Sequence, residues 1–390
     1  MTEIKKWAFC EYNFIESITL QNIIKIDAYA FANCSTLKSI VLPDGLTKIG
    51  DRAFANCSRL TALFIPNSVT EIEFYAFAGC LDLRSIILPN GLTKIDDGTF
   101  WQCRNLTTIN IPEAITKIGR YAFAYSGLKS IVLPHGLTEI RKEAFYNCRN
   151  LEAVVIPETV TKIGIEAFAR SGLKSIILLD GLTEIGNNVF NWCNELTSVT
   201  LPNGLTKIGE GAFERCHSLT TISIPDSVTT IGRSAFARCK NLEIIIIPNS
   251  VMEIGHHAFA WCYKLRSIVL SNILTKIERD TFRECHDLAA LVIPNSVTEI
   301  GPNAFTKCKS LTSIALPNGL TKINDGVFWG CGNLTSIVIP DSVTEIRQYA
   351  FAGCQLLGSI FIPNSNIKIE RTAFMHCTNM SNRPDLHFEI

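Results

Sequence analysis

"AFANCSTLKSIVLPDGLTKIGDRAFANC", residues 30–57, begins and ends on the same five letters. Aligned on the phenylalanine of that pentad, the whole chain falls into register, from Phe9 and Phe31 through Phe54, Phe77 and Phe100 to Phe351 and Phe374. The step is 23 residues except for three steps of 22, after Phe9, Phe123 and Phe168. The unit reads A-F-x-x-C-x-x-L-x-x-I-x-[IL]-P-x-[GS]-[LV]-T-x-I-x-x-x, without a linker anywhere. A 390-residue chain of unrelated sequence would be divided into two or three domains; a tandem repeat grows by stacking one coil on the next.

Each unit has three physical parts. In "LKSIVL" (37–42) Ile40 and Leu42 alternate about Val41, the pattern of a short strand with one buried face. "PDG" (43–45) supplies turn chemistry, and "LTKI" (46–49) is a second short extended piece turning Leu46 and Ile49 inward. "GDRAFANC" (50–57) reads as a turn leading into one helical or 3-10 turn, with Ala53, Phe54 and Cys57 on one side. The expected fold class is a repeat solenoid of leucine-rich-repeat type. It combines short parallel β-strands with short helical or 3-10 turns in about sixteen coils of 23 residues. At ~4.8 Å per coil the stack would run roughly 75–80 Å. Residues 1–380 are expected to form a single domain, and 381–390, which leave the repeat, a polar cap or tail.

The combination of "IPNSVTEIG" with "AFxxC" resembles the BspA-like (treponemal-type) class of leucine-rich repeats over essentially the whole chain. That resemblance implies an elongated right-handed solenoid used for adhesion and protein binding, surface-exposed or secreted in many members. It carries no catalytic residues over.

Bulk composition narrows the functional classes. Lys+Arg and Asp+Glu both number 36, so there is no basic excess of the kind a nucleic-acid binder carries. No apolar run approaches the ~20 residues of a membrane span, and "MTEIKKWAF" lacks the apolar core of a secretory signal. Membrane insertion is therefore not expected, and the chain by itself does not fix a localisation. No H-E-x-x-H, G-x-S-x-G, phosphate-binding glycine loop or paired carboxylate stands out, so no catalytic residue, cofactor or metal site is assigned.

The 15 cysteines pose the chemical question. Fourteen sit three residues after a phenylalanine, from Cys34 to Cys377, and Cys10 is the exception. No C-x-x-C occurs, a straight column cannot wrap four ligands around zinc, and parallel side-chain vectors suit disulfides poorly. A column of buried, unreactive thiols is expected. In two shorter coils Ser126–Gly127 and Ser171–Gly172 replace the cysteine, as if local packing sets that position.

Two outward columns remain. The residue before the last isoleucine alternates Lys and Glu from Lys48 and Glu71 to Glu345 and Lys368, with Lys94 and Lys117 as like-charged neighbours. Opposite charges there would hold coil register, or form a charged docking strip. Ten residues after the phenylalanine the column is largely apolar, with Phe64, Ile87, Ile246, Val269, Val292 and Phe361 as its candidate binding residues. It reads either as β-propensity on a ladder or as a partner face. Trp101, Tyr125 and Tyr146, on consecutive coils just after the phenylalanine, form a second candidate patch.

The leading expectation is a non-catalytic solenoid that binds a protein partner, such as a host surface or matrix protein. Alternatives are an intracellular scaffold, a secreted effector, or a structural protein that self-associates end to end. The last is motivated by "TEI…AF" (2–9), which starts mid-coil, with Trp7, Tyr12 and Phe14 available as an improvised lid.

Overall fold

The computed structural model describes residues 2–380. The expected cap, 381–390, lies outside the described residues. The chain is a parallel β-solenoid of short strands divided into two units, Met1–Pro202 and Asn203–Ile390, each built from the same coil.

Every coil contributes to parallel ladders. The first is, in most coils, a strand of three or four residues at the L-x-x-I-x-[IL] segment. In the first unit Ser39–Val41 pairs in register with Ser17–Thr19, and Ala62–Phe64 pairs with Ser85–Ile87. In the second, Ile244–Ile246 pairs with Ser267–Val269, and Ala290–Val292 with Ser313–Ala315. Burial alternates as the sequence predicts: Ile40 is buried between exposed Ser39 and Val41. The second ladder is the dipeptide of charge and isoleucine, for example Lys48–Ile49 beside Glu71–Ile72 and Lys276–Ile277 beside Glu299–Ile300.

The third side of the coil corrects the sequence reading. No helical turn forms at the A-F-x-x-C segment, and the single 3-10 helix among the described residues is Thr378–Met380. The segment is instead a run of overlapping turns with a left-handed residue two places before and two places after the phenylalanine. Tyr29 (φ 57°) and Asn33 (φ 61°) flank Phe31, and Ser234 (φ 52°) and Arg238 (φ 62°) flank Phe236. Left-handed residues interrupt a right-handed helix and place a positive φ at the third position of a type II turn. The amide donors then divide into two sets. Those of Ala30, Ala32 and Cys34 close turns onto Asp27, Tyr29 and Phe31. Those of Tyr29, Phe31 and Asn33 reach across to the carbonyls of Asp51, Ala53 and Ala55 in the next coil, at 2.7–2.8 Å.

Between the ladders the core is a set of side-chain columns. Phenylalanine rings stack face to face at coil spacing, with centroids 5.3 Å apart for Phe31–Phe54 in the first unit and 5.5 Å for Phe236–Phe259 in the second. Planes 1° and 0° apart in those pairs make each ring a translated copy of its neighbour. The centroid spacing is that of offset aromatic stacking.

All fifteen cysteines are free, and all but Cys10 are buried. The buried thiols donate into the coil before them, for example Cys80 Sγ to Phe54 O at 3.2 Å and Cys262 Sγ to Phe236 O at 3.2 Å. The same Phe54 carbonyl accepts the Cys57 amide at 3.2 Å, so one buried oxygen receives two donors. Burial pushes the thiols of Cys80, Cys148, Cys193 and Cys308 up to about 12 from an ordinary 9.0. In the shorter coils the Ser126 and Ser171 hydroxyls sit 3.4 and 3.3 Å from the next thiols, Cys148 and Cys193. The glycines that follow are required there. A Cβ at Gly127 or Gly172 would run into the Arg104 or Arg149 carbonyl oxygen of the preceding coil.

Two stability predictions follow from the turns and the thiols. Gln102 holds φ 59° while its amide bonds to Ala124 O at 2.8 Å. Gln102→Val should destabilise by about 1–2 kcal/mol in chemical denaturation, whereas Gln102→Asn should be close to neutral. For the thiols, folded and unfolded chains are both protonated below about pH 9, and the column then adds no pH dependence. Above it the unfolded thiols ionise while those held near 12 do not, so stability falls as pH rises across that window. Unfolding midpoints from pH 7 to 11 should bend downward above 9, and thiol titration at pH 8 should find few reactive groups until denaturant exposes all 15.

Candidate protein-binding face

The outward column of the strand ladder is exposed as expected. In the first unit Phe64 and Ile87 are in-register neighbours, and their side chains are 56% and 60% exposed. In the second unit Ile246 pairs with Val269, the next strand brings up Val292, and Phe361 pairs with Val338. Val292 is the most exposed of them at 81%. One contributor is missing from the sequence candidates. Ile244, eight residues after its phenylalanine, where most coils carry Ser, Thr or Ala, also points outward. Its signal is concealed in the uniform run "IIII" (244–247), in which alternation cannot be seen. Ile244 and Ile246 lie beside Ser267 and Val269, so this is where the apolar strip is widest. Farther along, Ala315 leaves a step between Val292 and Val338. Ser313, Ser336 and Pro340 help line the concavity there, about 480 Å³ in volume.

The aromatic candidates do not form one patch. Tyr125 and Tyr146 meet, with ring centroids 5.5 Å apart, while Trp101 stands edge-on to Tyr75 at 6.5 Å. All three are half-buried. Trp101 and Tyr146 follow their phenylalanines by one residue and Tyr125 by two, so Tyr125 lies in a different column from the other two. The proposed lid residues behave unequally: Trp7 stacks on Tyr29 at 4.2 Å, Tyr12 meets Phe9 edge-on, and Phe14 stays exposed. The Trp7–Tyr29 pair extends into a longer stack, because the Arg52 guanidinium lies over both Tyr29 (5.6 Å) and Tyr75 (4.6 Å). These four residues share one column, two places before the phenylalanine, a regularity the repeat alignment contains.

The charged column is an interlocked strip. Lys48 Nζ reaches Glu71 at 3.0 Å and Glu73 at 2.6 Å, and the Glu73 hydrogen bond leads the interactions that raise its pKa. Lys276 meets Glu299 at 3.5 Å and Glu278 at 3.2 Å. Like-charged neighbours are relieved by extra acids. Lys94, in register with Lys117, turns to Asp96 at 2.9 Å, and Lys25, in register with Lys48, turns to Glu3 and Asp27. With most of its lysines already paired, such as Lys48, Lys94, Lys276 and Lys368, the strip acts mainly on register.

Among the described residues no group of three or more His, Cys, Asp or Glu side chains is placed to hold a metal ion. No helix among them is long and apolar enough to cross a membrane.

Comparison with known proteins agrees with this architecture. The model of the BspA type leucine rich repeat region, itself of six copies, matches overlapping stretches at 2–129, 47–174, 116–243, 161–289 and 275–383. A leucine-rich repeat protein from Bacteroides ovatus is 33% identical, with 83% of this chain and 87% of that one covered and a TM-score of 0.77. A leucine rich cell surface protein from Faecalibacterium prausnitzii is 26% identical over 97% of this chain and 81% of that one (TM-score 0.34). The T. pallidum leucine rich repeat protein is 29% identical over 47% and 78% (TM-score 0.38). No curated protein matches the chain. Matched by the repeat model from end to end of the described residues, and by a solved relative over most of both chains, the chain belongs to the BspA-type leucine-rich repeat family.

Proposed function

We propose that this chain is a non-catalytic protein-binding solenoid that recognises a partner protein at a cell surface or after secretion. The reading takes residues 1–380 as one binding domain, supported by a repeat that runs unbroken through "TLPNGLTKIG" (200–209). The observation that carries it is the strip of Ile244, Ile246, Val269 and Val292. These are four large apolar side chains, each more than half exposed, on three neighbouring strands. β-Propensity accounts for branched residues on a ladder, but not for Ile244, where most coils place a small or hydroxyl residue. Contiguous exposed apolar surface of this kind marks interaction sites. In repeat proteins such surfaces are displayed on the face that regular stacking holds rigid. Phe64 and Ile87 in the first unit are a second contact region of the same chemistry, and Phe361 with Val338 a third.

Two measurements test the two parts of the reading. Immobilised wild-type chain and Val269→Asp, each presented with cell-surface and matrix protein extracts, should differ in a partner held by the first. The variant should retain it at least about tenfold more weakly, with an unchanged unfolding midpoint; equal retention would move the interface to another face. Protease treatment of intact cells of the source organism should remove the protein, whereas full protection would place its partner search inside the cell.

A further inference from the structure

The second unit has another concavity, on the turn columns rather than on the strand face. Two places before the phenylalanine the side chains run Asn303, Gly326, Tyr349; one place after it they run Trp329, Ala352, Met375. The middle residue of each column is small, Gly326 on one coil and Ala352 on the next, and the two gaps open into one notch of about 510 Å³. Gly326 has φ 61°, a conformation that favours glycine, and a Cβ there would strike the Asn303 side-chain oxygen. The walls are Trp329, Tyr349 and Met375, exposed by 42%, 44% and 45%, and Asp325 and His376 supply polar groups at its lining. Trp261 of the same unit is covered more closely, by the Arg238 guanidinium at 4.4 Å.

We infer that this notch binds a neutral sugar ring. Its size and its mix of aromatic walls with a few polar groups are those of a small-molecule site. Aromatic faces with a carboxylate alongside would equally suit a quaternary ammonium group, and the local charges decide between the two. Asp325 already faces Arg347 Nη1 at 4.0 Å, and the Lys307 ammonium lies 5.8 Å above the Trp329 ring. A cationic ligand would meet two positive side chains already held by acids, Lys307 by Glu284 at 3.2 Å and Arg347 by Glu345 at 3.8 Å, and no unpaired acid. A pyranose meets neither obstacle: its C–H face packs on Trp329 and Tyr349, and its hydroxyls donate to Asp325 and exchange hydrogen bonds with Asn303 and His376.

The test is saturation-transfer NMR on the full chain. The probes are the methyl glycosides of glucose, galactose, mannose and N-acetylglucosamine, their short β-linked oligomers, and choline chloride. At least one neutral saccharide should bind saturably, with a Kd between about 10 μM and 10 mM. Trp329→Ala and Asp325→Asn should each weaken it at least about tenfold, and Trp329→Phe should restore part of the loss. If Trp329→Ala fails to fold, the Trp329→Phe and Asp325→Asn pair carries the same comparison. Absence of saccharide binding up to about 50 mM, binding of choline instead, or saccharide binding indifferent to Trp329 and Asp325 would each overturn the assignment. Val269→Asp, on the strand face, should leave saccharide binding intact, so this site and the protein-binding face fail separately.

Discussion

In most coils the phenylalanine carbonyl is the point on which the stack depends. It is buried, and a buried carbonyl without a partner costs about as much as a lost hydrogen bond. Here Phe54 O receives the Cys57 amide from its own turn and the Cys80 thiol from the coil that follows. The phenylalanine amide meanwhile donates forward, Phe54 N to Ala76 O at 2.8 Å. A change in coil spacing would break both links at once. The face-to-face rings and the in-register strands follow from that fixed translation, because identical coils repeated at one spacing bring identical side chains into contact.

This constraint explains choices that composition leaves obscure. A thiol suits a position that must be small and apolar yet still donate weakly to a carbonyl, and burial keeps it protonated and inert. Where a coil is one residue shorter, serine and glycine arrive together, because the shortened backbone presses on the carbonyl of the coil behind. Among the described residues, the twenty-eight non-glycine residues with positive φ, all but Asn22 beside a phenylalanine, include no β-branched residue. That exclusion is steric. Lysine and glutamate alternate where charges fall one coil apart, which makes a slip by one repeat unfavourable.

With the core and ladders so constrained, variation is left to outward positions, and both candidate sites lie there. On the strand face, isoleucine and valine replace hydroxyl residues and widen an apolar strip. On the turn columns, Gly326 and Ala352 remove side chains and open a notch. The first adds surface for a broad partner and the second subtracts it for a small one. Both use the backbone as a rigid ruler.

The 23-residue period, the inward pattern of Leu37, Ile40, Leu42, Leu46 and Ile49, and the thiol column were legible in the sequence, because a repeated apolar pattern can be buried only by stacking. The exposure of Phe64, Val269 and Val292 was legible for the same reason, since alternation on a strand assigns faces. The turn at A-F-x-x-C was misread as helical. Its conformation is set by hydrogen bonds to the next coil, which compete with the local i→i−4 bonds of a helix and win. Ile244 was hidden in a run without alternation, and Trp101, Tyr125 and Tyr146 were grouped by sequence proximity although Tyr125 lies in a different column from the other two. The sequence by itself determined the coil and what each coil buries, because those are properties of one repeat. The ring stack, the double use of the phenylalanine carbonyl, and the notch between Trp329, Tyr349 and Met375 were decided only by the tertiary structure, because each exists between coils.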